Sequence, residues 1–383
     1  MPPIRVLVVD DSAVIRKVLC DGLAPDAALE VVGTAANGRF ALAKIPLLNP
    51  DIVTLDVEMP EMGGLETLAA LRKIYPKLPV IMFSTLTERG AAITLDALAL
   101  GASDYVTKPS NTGSLEETLR QLRAELIPKI KALCAERLSE PAAVRAPARS
   151  SSATKVRRAS QPATPVLSRV DVLAIGTSTG GPNALAELLP AIPADFPVPI
   201  LIVQHMPALF TRMLAGRLNQ QSALHVREGL DGEALKPGDV WIAPGGFHMT
   251  VEKRGAALVL ALNQNAPENY CRPAVDPLFR SVANAYGTGA LAVVLTGMGS
   301  DGSAGAQHIH EKGGRVLVQD QASSIVWGMP GQIAAAGLAD GTYALKSMAA
   351  EICRRAALKR NSPAGAARPS AAETGKDAVP QRP

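Results

Sequence analysis

The sequence predicts an α/β protein made of two doubly wound parallel-sheet domains that are joined by a flexible linker. The chain has 383 residues, a length that suits two or three domains at roughly 100–200 residues each. Short apolar runs rich in β-branched residues alternate with longer stretches of helical spacing in two blocks, which we place at 1–130 and 170–358. The runs that we predict as strands are 4–10, 30–35, 51–56, 79–84 and 104–108 in the first block, and 171–176, 199–205, 239–244, 257–262, 291–298 and 314–320 in the second. Such alternation is typical of parallel sheets that are buried on both faces by helices.

The segment between the two blocks, 131–169, has a different composition. From residue 136 onward it is rich in Ala, Pro, Ser and Arg, and it carries seven Lys/Arg residues against two Glu. A segment of this kind buries too little apolar surface to offset its ordering entropy, so we predict a flexible basic linker. The tail at 359–383 has the same character, and we expect it to be disordered.

Composition and cysteine spacing exclude several classes of protein. Aromatic residues make up 3% of the chain, which argues against a nucleic-acid surface built on base stacking. The four cysteines lack the spacing of a disulfide framework or a zinc site, a pattern typical of a reducing compartment. No apolar run approaches the ~18 residues of a membrane span. We therefore expect a cytoplasmic protein that neither inserts into membranes nor binds nucleic acid.

The first block places charged and hydroxyl side chains at the ends of its predicted strands. Three carboxylates at this edge, Asp10, Asp11 and Asp56, repel one another unless a hard divalent cation such as Mg²⁺ neutralises them. Asp56 beside such a cation is a nucleophile that can accept a phosphoryl group, with Lys108 and Ser84 contacting the added charge. Taken singly, Asp10 or Asp11 is equally well explained as the cap of the following helix.

The motifs that carry these residues resemble the receiver domain of two-component response regulators over the whole first block. They are VVDDS (8–12), LDVEMPEMGG (55–64), FST (83–85) and YVTKP (105–109). The resemblance implies that Asp56 is the phosphoacceptor and that a histidine kinase is the phosphodonor. It further implies a Mg²⁺ site at Asp10, Asp11, Asp56 and the main-chain carbonyl of Glu58, and a phosphorylation switch formed by Ser84, Tyr105 and Lys108.

The second block contains a Gly-x-Ser-x-Gly turn after its first predicted strand, with Ser178 between Gly176 and Gly180. Glycines on both sides permit a sharp turn from strand into helix, which exposes the hydroxyl and directs backbone N–H groups towards an anion. A glycine-rich turn at this place also suits dinucleotide phosphates. However, the G-x-G-x-x-G pattern is absent, and the next strand ends in Gln204 and His205 rather than in an acidic residue.

A nucleophilic serine needs a base, and among the five histidines only His205 ends the strand that directly follows the serine's strand–helix unit. His248, in a loop, is the main competitor. The remaining three are more simply explained as structural: His225, His308 and His310. Asp301, in a glycine-rich turn after a later strand, supplies a carboxylate that would orient the imidazole. The same turn would offer main-chain N–H groups to an oxyanion.

The chain order Ser, His, Asp differs from that of the α/β-hydrolases and disfavours that family. The second block resembles instead the catalytic domain of the chemotaxis protein-glutamate methylesterases, a Rossmann-like esterase domain. The motifs are IGTSTGGP (175–182), VQHMP (203–207), VDPLF (275–279) and LTGMGSDG (295–302). The resemblance implies that Ser178 is the nucleophile, His205 the general base and acid, Asp301 its orienting partner and the Met298 N–H an oxyanion donor. The chain departs from the family at Thr177 and Ser300, where Ala and Asn are frequent.

The two resemblances together imply a methylesterase that is activated by phosphorylation at Asp56. It would hydrolyse glutamyl methyl esters on methyl-accepting chemotaxis receptors, release methanol and deamidate selected receptor glutamines, with no cofactor in the esterase reaction. One alternative is a receiver joined to a non-catalytic Rossmann-like module that binds a nucleotide or a receptor. Another, a DNA-binding response regulator, is disfavoured because no helix-turn-helix pattern follows the linker.

Overall fold

The computed structural model describes residues 2–108, 114–135 and 169–357, which form two parallel sheets and one small hairpin. Nearly all of the expected linker and the whole of the expected tail lie outside these residues. No helix in the described ranges is long and apolar enough to cross a bilayer.

The N-terminal domain is a five-stranded parallel sheet in the order β2-β1-β3-β4-β5, flanked by five helices. Its strands are β1 (Ile4–Val9), β2 (Leu29–Ala35), β3 (Ile52–Asp56), β4 (Val80–Ser84) and β5 (Asp104–Thr107). Its helices are α1 (Ala13–Leu23), α2 (Gly38–Leu48), α3 (Gly64–Ile74), α4 (Glu88–Ala99) and α5 (Leu115–Leu133). All five apolar runs form strands because both faces of the sheet are covered by helices, and β3 and β4 are buried along their whole length.

Helix α5 extends to Leu133, so the first three residues of the segment that we assigned to the linker are helical. The extension is held by an apolar face, since Leu122, Leu126 and Ile130 are buried against the N-terminal sheet. The apolar periodicity therefore continues past the boundary at residue 130, and the composition changes only beyond it.

The C-terminal domain is built on seven parallel strands in the order β14-β13-β12-β6-β7-β9-β8. The strands of this sheet are β6 (Val172–Thr177), β7 (Ile200–Gln204), β8 (His225–Glu228), β9 (Asp239–Ile242), β12 (Ala290–Val294), β13 (Arg315–Gln319) and β14 (Gly341–Tyr343). The helices are α6 (Gly181–Leu188), α7 (Ala208–Gln221), α8 (Val275–Tyr286), α9 (Ser303–Glu311), α10 (Met329–Ala335) and α11 (Leu345–Ala356).

A hairpin of β10 (His248–Arg254) and β11 (Ala257–Asn263) lies outside the parallel sheet. The apolar run of β11 suggested another parallel strand, but β11 pairs antiparallel with β10. Met249, Val251 and Leu260 of the hairpin pack into the core, and its turn end at 252–257 is exposed. Short length explains why β8 and β14 have no counterpart among the predicted strands, and the exposed second half of β10 explains it for that strand.

The strand order of the second sheet reverses beside β6. The chain first adds strands on the β7 side of β6 and later returns to add β12 on the other side. In open α/β sheets ligands bind beyond the carboxyl ends of the strands at such a reversal. The strands that precede Ser178 and Asp301, β6 and β12, border this crevice, and β7, which precedes His205, lies next to β6.

The loop after His205 packs against Gly245 so closely that a side chain there has no space. A Cβ on Gly245 would lie 2.1 Å from the Ala208 nitrogen and 2.3 Å from the Pro207 carbonyl carbon, both backbone atoms. Gly216, on the exposed side of α7, has no heavy atom within 4 Å of the corresponding position.

We expect Gly245→Ala to lower the stability of the C-terminal domain by about 1–3 kcal/mol, because the backbone at the start of α7 must shift. Gly216→Ala is the matched control and should stabilise the protein by up to about 1 kcal/mol, because Ala favours a helix interior over Gly. Calorimetric melting of both full-length variants measures the two effects, and equal melting temperatures would contradict the packing argument.

Candidate active site and phosphorylation site

Three adjacent strands bring the residues of the expected triad to one edge of the C-terminal sheet. In the register of the sheet Thr177 of β6 lies opposite Gln204 of β7, so Ser178 and His205 follow directly at neighbouring strand ends. Strand β12 pairs with β6 on the other side and leads into the loop that contains Asp301. The tertiary structure thus assembles residues that lie up to 123 positions apart in the sequence.

The Asp301 carboxylate is buried and contacts the His205 ring. Asp301 Oδ2 lies 2.7 Å from His205 Nε2, and the two side chains are 2% and 11% exposed. Burial by itself raises the pKa of Asp301. However, hydrogen bonds from His205 and from the backbone N–H groups of Val275 and Asp276 hold this pKa below its usual value. Asp301 is therefore a stable anion that orients the imidazole and favours its protonated form.

The environment of His205 raises its proton affinity. Burial lowers the pKa of His205, but Asp301 and the Cys271 thiol beside the ring outweigh it and bring the pKa to about 10. No motif in the sequence marks Cys271 as a site residue. It lies four residues before the VDPLF motif, and only the folded loop brings it to His205.

Ser178 lies in a tight turn between β6 and α6. Its N–H donates to the Thr296 carbonyl at 3.1 Å, and Gln204 Nε2 donates to its carbonyl at 3.0 Å. Gly180 has a φ of 80°, and a Cβ on Gly181 would lie 2.0 Å from Gln204 Oε1, so the turn requires both glycines. Among the described residues the Ser178 hydroxyl has no hydrogen-bond partner, and its contact with His205 is not formed in this structure.

The loop that contains Met298 runs beside Ser178. A Cβ on Gly297 would lie 2.9 Å from the Ser178 Cβ, and the Gly297 N–H donates to the Val326 carbonyl at 3.0 Å. The following N–H, that of Met298, has no acceptor within the part of the chain that the structure describes. An unused donor beside the serine suits the oxyanion role that the sequence suggested for Met298.

The departure from the family pattern at Thr177 has a structural explanation. The Thr177 hydroxyl is buried and donates to the Thr296 carbonyl at 3.0 Å, which ties the end of β6 to the loop after β12. Alanine at this position would lack that hydrogen bond. For Ser300 the structure shows no comparable contact of the side chain among the described residues.

The competing histidines make other contacts. His248 is buried, and its ring nitrogens meet the Ala266 carbonyl at 3.1 Å and the Ala274 N–H at 3.3 Å, so it supports the loop before α8. His225 begins β8 beside Asp239. The last two, His308 and His310, lie on α9 as expected. None of these four contacts Asp301 in the described structure.

In the N-terminal domain the strand ends gather the expected acidic cluster. One carboxylate oxygen from each of Asp10, Asp11 and Asp56 lies within 4.8 Å of the others. Lys108 Nζ lies 2.8 Å from Asp56 Oδ2 and 3.0 Å from Asp10 Oδ2. Such a set of hard oxygen donors fits Mg²⁺. The cap of α1 is Ser12, whose hydroxyl accepts the Ile15 N–H, so neither Asp10 nor Asp11 is used as the helix cap.

Asp56 is largely buried at the end of β3. Burial raises its pKa to about 6, with a further increase from the Asp10 charge, while the hydrogen bond from Lys108 lowers it. Its Oδ1 atom also accepts the Glu58 N–H at 3.4 Å. The Glu58 carboxylate turns outward to Arg89, at 3.1 Å, and its main-chain carbonyl as a metal ligand stays a prediction.

Ser84 and Tyr105, two of the three residues of the expected switch, lie in different surroundings. Ser84 is buried, and its hydroxyl donates to the Gly90 carbonyl at 3.2 Å. Tyr105 is also buried, and its ring stacks on Phe210 of α7 in the other domain, with ring centroids 4.6 Å apart. Tyr105 therefore belongs to the contact between the domains, which the sequence did not reveal.

This contact reaches the residue next to Ser178. The Thr179 hydroxyl donates to Asp104 Oδ2 at 2.7 Å, and Asn183 Nδ2 donates to the Leu98 carbonyl at 2.7 Å. An ion pair lies at the margin, with Arg217 2.8 Å from Asp96. The strand β5 and helix α4 of the first domain thus pack directly on the turn that carries the candidate nucleophile.

Comparison with known proteins identifies both domains. A model of the response regulator receiver domain matches residues 6–120, and one of the CheB methylesterase matches residues 173–352. A protein-glutamate methylesterase/protein-glutamine glutaminase of Trichodesmium erythraeum is 51% identical over 356 residues, covering 93% of this chain and 99% of that protein. One from a Nocardioides species is 54% identical over 370 residues, covering 96% and 100%. The crystal structure of the Thermotoga maritima CheB methylesterase catalytic domain is 39% identical and covers 49% of this chain and 99% of that chain, with a TM-score of 0.48.

Fold and site define a response regulator whose output domain is a hydrolase. The chain belongs to the CheB family, the protein-glutamate methylesterase/protein-glutamine glutaminases. The predictions of two α/β domains and of a phosphorylation-regulated ester hydrolase are confirmed by this membership. Both alternatives, the non-catalytic module and the DNA-binding regulator, are disfavoured.

We expect Lys108→Met to raise the pKa of Asp56 above about 6, because the variant removes the ammonium that stabilises the carboxylate. Asp10→Asn should lower the pKa, because it removes a neighbouring negative charge. Carboxyl-carbon NMR titration of the Mg²⁺-free protein measures the pKa of Asp56 in both variants, and Asp56→Asn assigns the signal. A shift in the same direction in the two variants would contradict this account of the site.

Proposed function

We propose that the chain hydrolyses γ-glutamyl methyl esters on methyl-accepting chemotaxis receptors and deamidates selected receptor glutamines by the same chemistry. The observation that carries the proposal is the 2.7 Å contact of Asp301 with His205 at the strand end next to Ser178. The similarity to relatives that are named for both activities supports the choice of substrate.

The proposed reaction uses the two nitrogens of His205 differently. Nε2 is held by Asp301, which leaves Nδ1 to take the proton of the Ser178 hydroxyl as its oxygen attacks the ester carbonyl carbon. The Met298 N–H would donate to the oxyanion of the tetrahedral intermediate. The intermediate then expels methanol, which receives its proton from His205.

A second half-reaction restores the enzyme. His205 removes a proton from water, which attacks the acyl carbon and releases the receptor carboxylate and the Ser178 hydroxyl. With a glutamine substrate the first leaving group is ammonia instead of methanol. The raised pKa of His205 favours the imidazolium that forms in both halves, and the base form is regained as the pH rises.

Asp56 is the proposed phosphoacceptor, and a histidine kinase is the proposed donor. Asp10, Asp11, Asp56 and the Glu58 main-chain carbonyl would hold Mg²⁺, which when bound neutralises charge around the phosphoryl group. Lys108 contacts both Asp10 and Asp56 and would move to the added phosphoryl oxygens. The Ser84 hydroxyl would donate to another of them, in place of its bond to the Gly90 carbonyl.

We propose that the contact between the domains restrains the unphosphorylated enzyme. Tyr105 stacks on Phe210, and Asp104, its neighbour on β5, accepts the hydroxyl of Thr179 beside Ser178. A change at Ser84 and Tyr105 on phosphorylation would loosen this contact and open the crevice to a receptor helix. The cytoplasmic location, the disordered tail and the flexible linker stay predictions.

Methanol release from methylated receptor membranes tests the two sites together, with and without a small-molecule phosphodonor and Mg²⁺. We expect the donor to stimulate the wild type, Asp56→Ala to keep only basal turnover, and Ser178→Ala to lose at least about 10³-fold in rate. Retained turnover in Ser178→Ala would exclude this serine as the nucleophile. An inactive wild type under all conditions would exclude the proposed substrate.

A second pair of variants tests whether the contact between the domains restrains the unphosphorylated enzyme. Asn183→Ala removes a hydrogen bond worth about 1 kcal/mol from the interface, so basal turnover without phosphodonor should rise about fivefold. Asp96→Asn breaks the solvent-exposed ion pair with Arg217 and should change basal turnover little. If Asn183→Ala leaves basal turnover unchanged while phosphorylation still activates, this contact does not restrain the enzyme.

A further inference from the structure

A second buried carboxylate lies directly behind Asp301. Asp276, in the first turn of α8, is 4% exposed, and its own N–H donates to Asp301 Oδ1 at 3.0 Å. Its carboxylate accepts the Gly305 N–H at 2.6 Å and an amide N–H of Asn269 at 2.9 Å. No Lys or Arg pairs with it among the described residues, so two acidic groups share one buried region.

Asn269 joins the two carboxylates. Its Nδ2 atom lies 2.9 Å from Asp276 Oδ2 and also 2.9 Å from Asp301 Oδ1. The two remaining donors to Asp301 Oδ1 are backbone N–H groups, so Asn269 is the only side chain in the described structure that donates to this oxygen.

The backbone holds Asn269 in place. Glu268 and Cys271 exchange two backbone hydrogen bonds, at 2.8 and 3.1 Å, around a two-residue turn. Asn269 and Tyr270 in this turn have φ values of 50° and 62°, a conformation that Asn tolerates better than other non-glycine residues. Arg280 of α8 anchors the turn through Glu268 at 2.6 Å. The turn is thus fixed to the helix that carries Asp276.

The ionisable groups around the pair are few. Asp301 and the Cys271 thiol face the His205 ring, and Asp276 faces Asp301. Arg280 interacts with both acids at longer range while it pairs with Glu268. Burial raises the pKa of Asp276, and the Asp301 charge raises it further against the hydrogen bonds from Gly305 and Asn269. A change at Asp276 or Asn269 therefore alters the electrostatic potential at His205 through Asp301.

We propose that Asn269 and Asp276 are positioning residues of the esterase site, which fix the orientation of Asp301 and adjust its negative charge in opposite directions. Asn269 offsets part of the charge with its amide dipole, and Asp276 in its ionised form adds a second charge behind the first. This inference rests on the proposed chemistry of Ser178, His205 and Asp301, and it assigns roles to two residues outside that set.

The proposal predicts that variants of Asn269 and Asp276 shift the pKa of His205 in opposite directions. Asn269→Gly keeps the positive φ but removes the amide, so the negative potential at His205 grows and its pKa should rise. Asp276→Asn keeps an oxygen for the Gly305 N–H but removes a charge, so the pKa of His205 should fall. By the usual size of such effects, each shift is about half a unit to one unit.

Histidine-selective NMR titration of the full-length chain measures these shifts without turnover, with His205→Gln to assign the signal. Asn265→Gly is the matched control for a loop Asn→Gly change, because both asparagines are exposed residues but only Asn269 donates to Asp276 and Asp301 in the described structure. Melting curves confirm that each variant is folded. Opposite shifts in the two variants with none in the control support the proposal; no shift, or two shifts in the same direction, overturns it.

Kinetics provides an independent readout. With methylated receptor as substrate, we expect the acid limb of the pH profile of kcat/KM to move to higher pH in Asn269→Gly and to lower pH in Asp276→Asn. For Asn269→Gly we also expect kcat to fall about tenfold at unchanged KM, because Asp301 orients His205 less well. If a variant loses rate at every pH while the acid limb of its kcat/KM profile stays at the wild-type pH, the substituted residue has only a structural role. Since the titration needs no turnover, it decides the inference even if the proposed substrate is wrong.

Discussion

The esterase site depends on keeping one buried carboxylate charged. Asp301 is almost fully removed from water, and an isolated buried anion would take up a proton instead of staying ionised. The structure prevents this with four N–H donors in addition to His205, two of them from the first turn of α8. Because these donors are held by the start of α8, by the turn at Gly302 and by the turn between Glu268 and Cys271, the loops between the strands have little freedom at this point.

The two domains stabilise buried acids in different ways. Asp301 is surrounded by N–H dipoles and one imidazole, so it remains an anion that interacts with His205 and is not free to bind a cation. Asp56 lies beside Asp10 and shares the single ammonium of Lys108, and its pKa is raised to about 6. The first arrangement suits a residue that orients a base, and the second suits one that accepts a new charged group together with a cation.

The interface connects the two sites over a short path. Asp104 and Tyr105 are consecutive residues of β5: Asp104 contacts the serine turn, and Tyr105 stacks on α7, which begins after His205. Asp104 also pairs with the half-buried Lys129 at 3.3 Å, and Lys129 in turn contacts the Tyr105 carbonyl at 2.6 Å. The receiver surface thus includes buried polar groups whose partners lie in both domains, and such groups are costly to leave unpaired when domains separate. A phosphorylation signal therefore has to rearrange this network as well as the apolar contact.

The sequence by itself determined the class of both domains, because strands buried on both faces leave continuous apolar runs and functional residues lie at strand ends. It also indicated Ser178, His205 and Asp56, since each directly follows or ends such a strand, and Asp301, which lies in the glycine-rich turn after β12. Only the tertiary structure revealed the roles of Asn269, Cys271 and Asp276. They lie in an irregular loop and a helix start with no periodic signal, and their contacts depend on how that loop folds over Asp301. The contact of Tyr105 and Asp104 with the serine turn was likewise decided by packing, because the complementarity of two surfaces leaves no local pattern in either sequence.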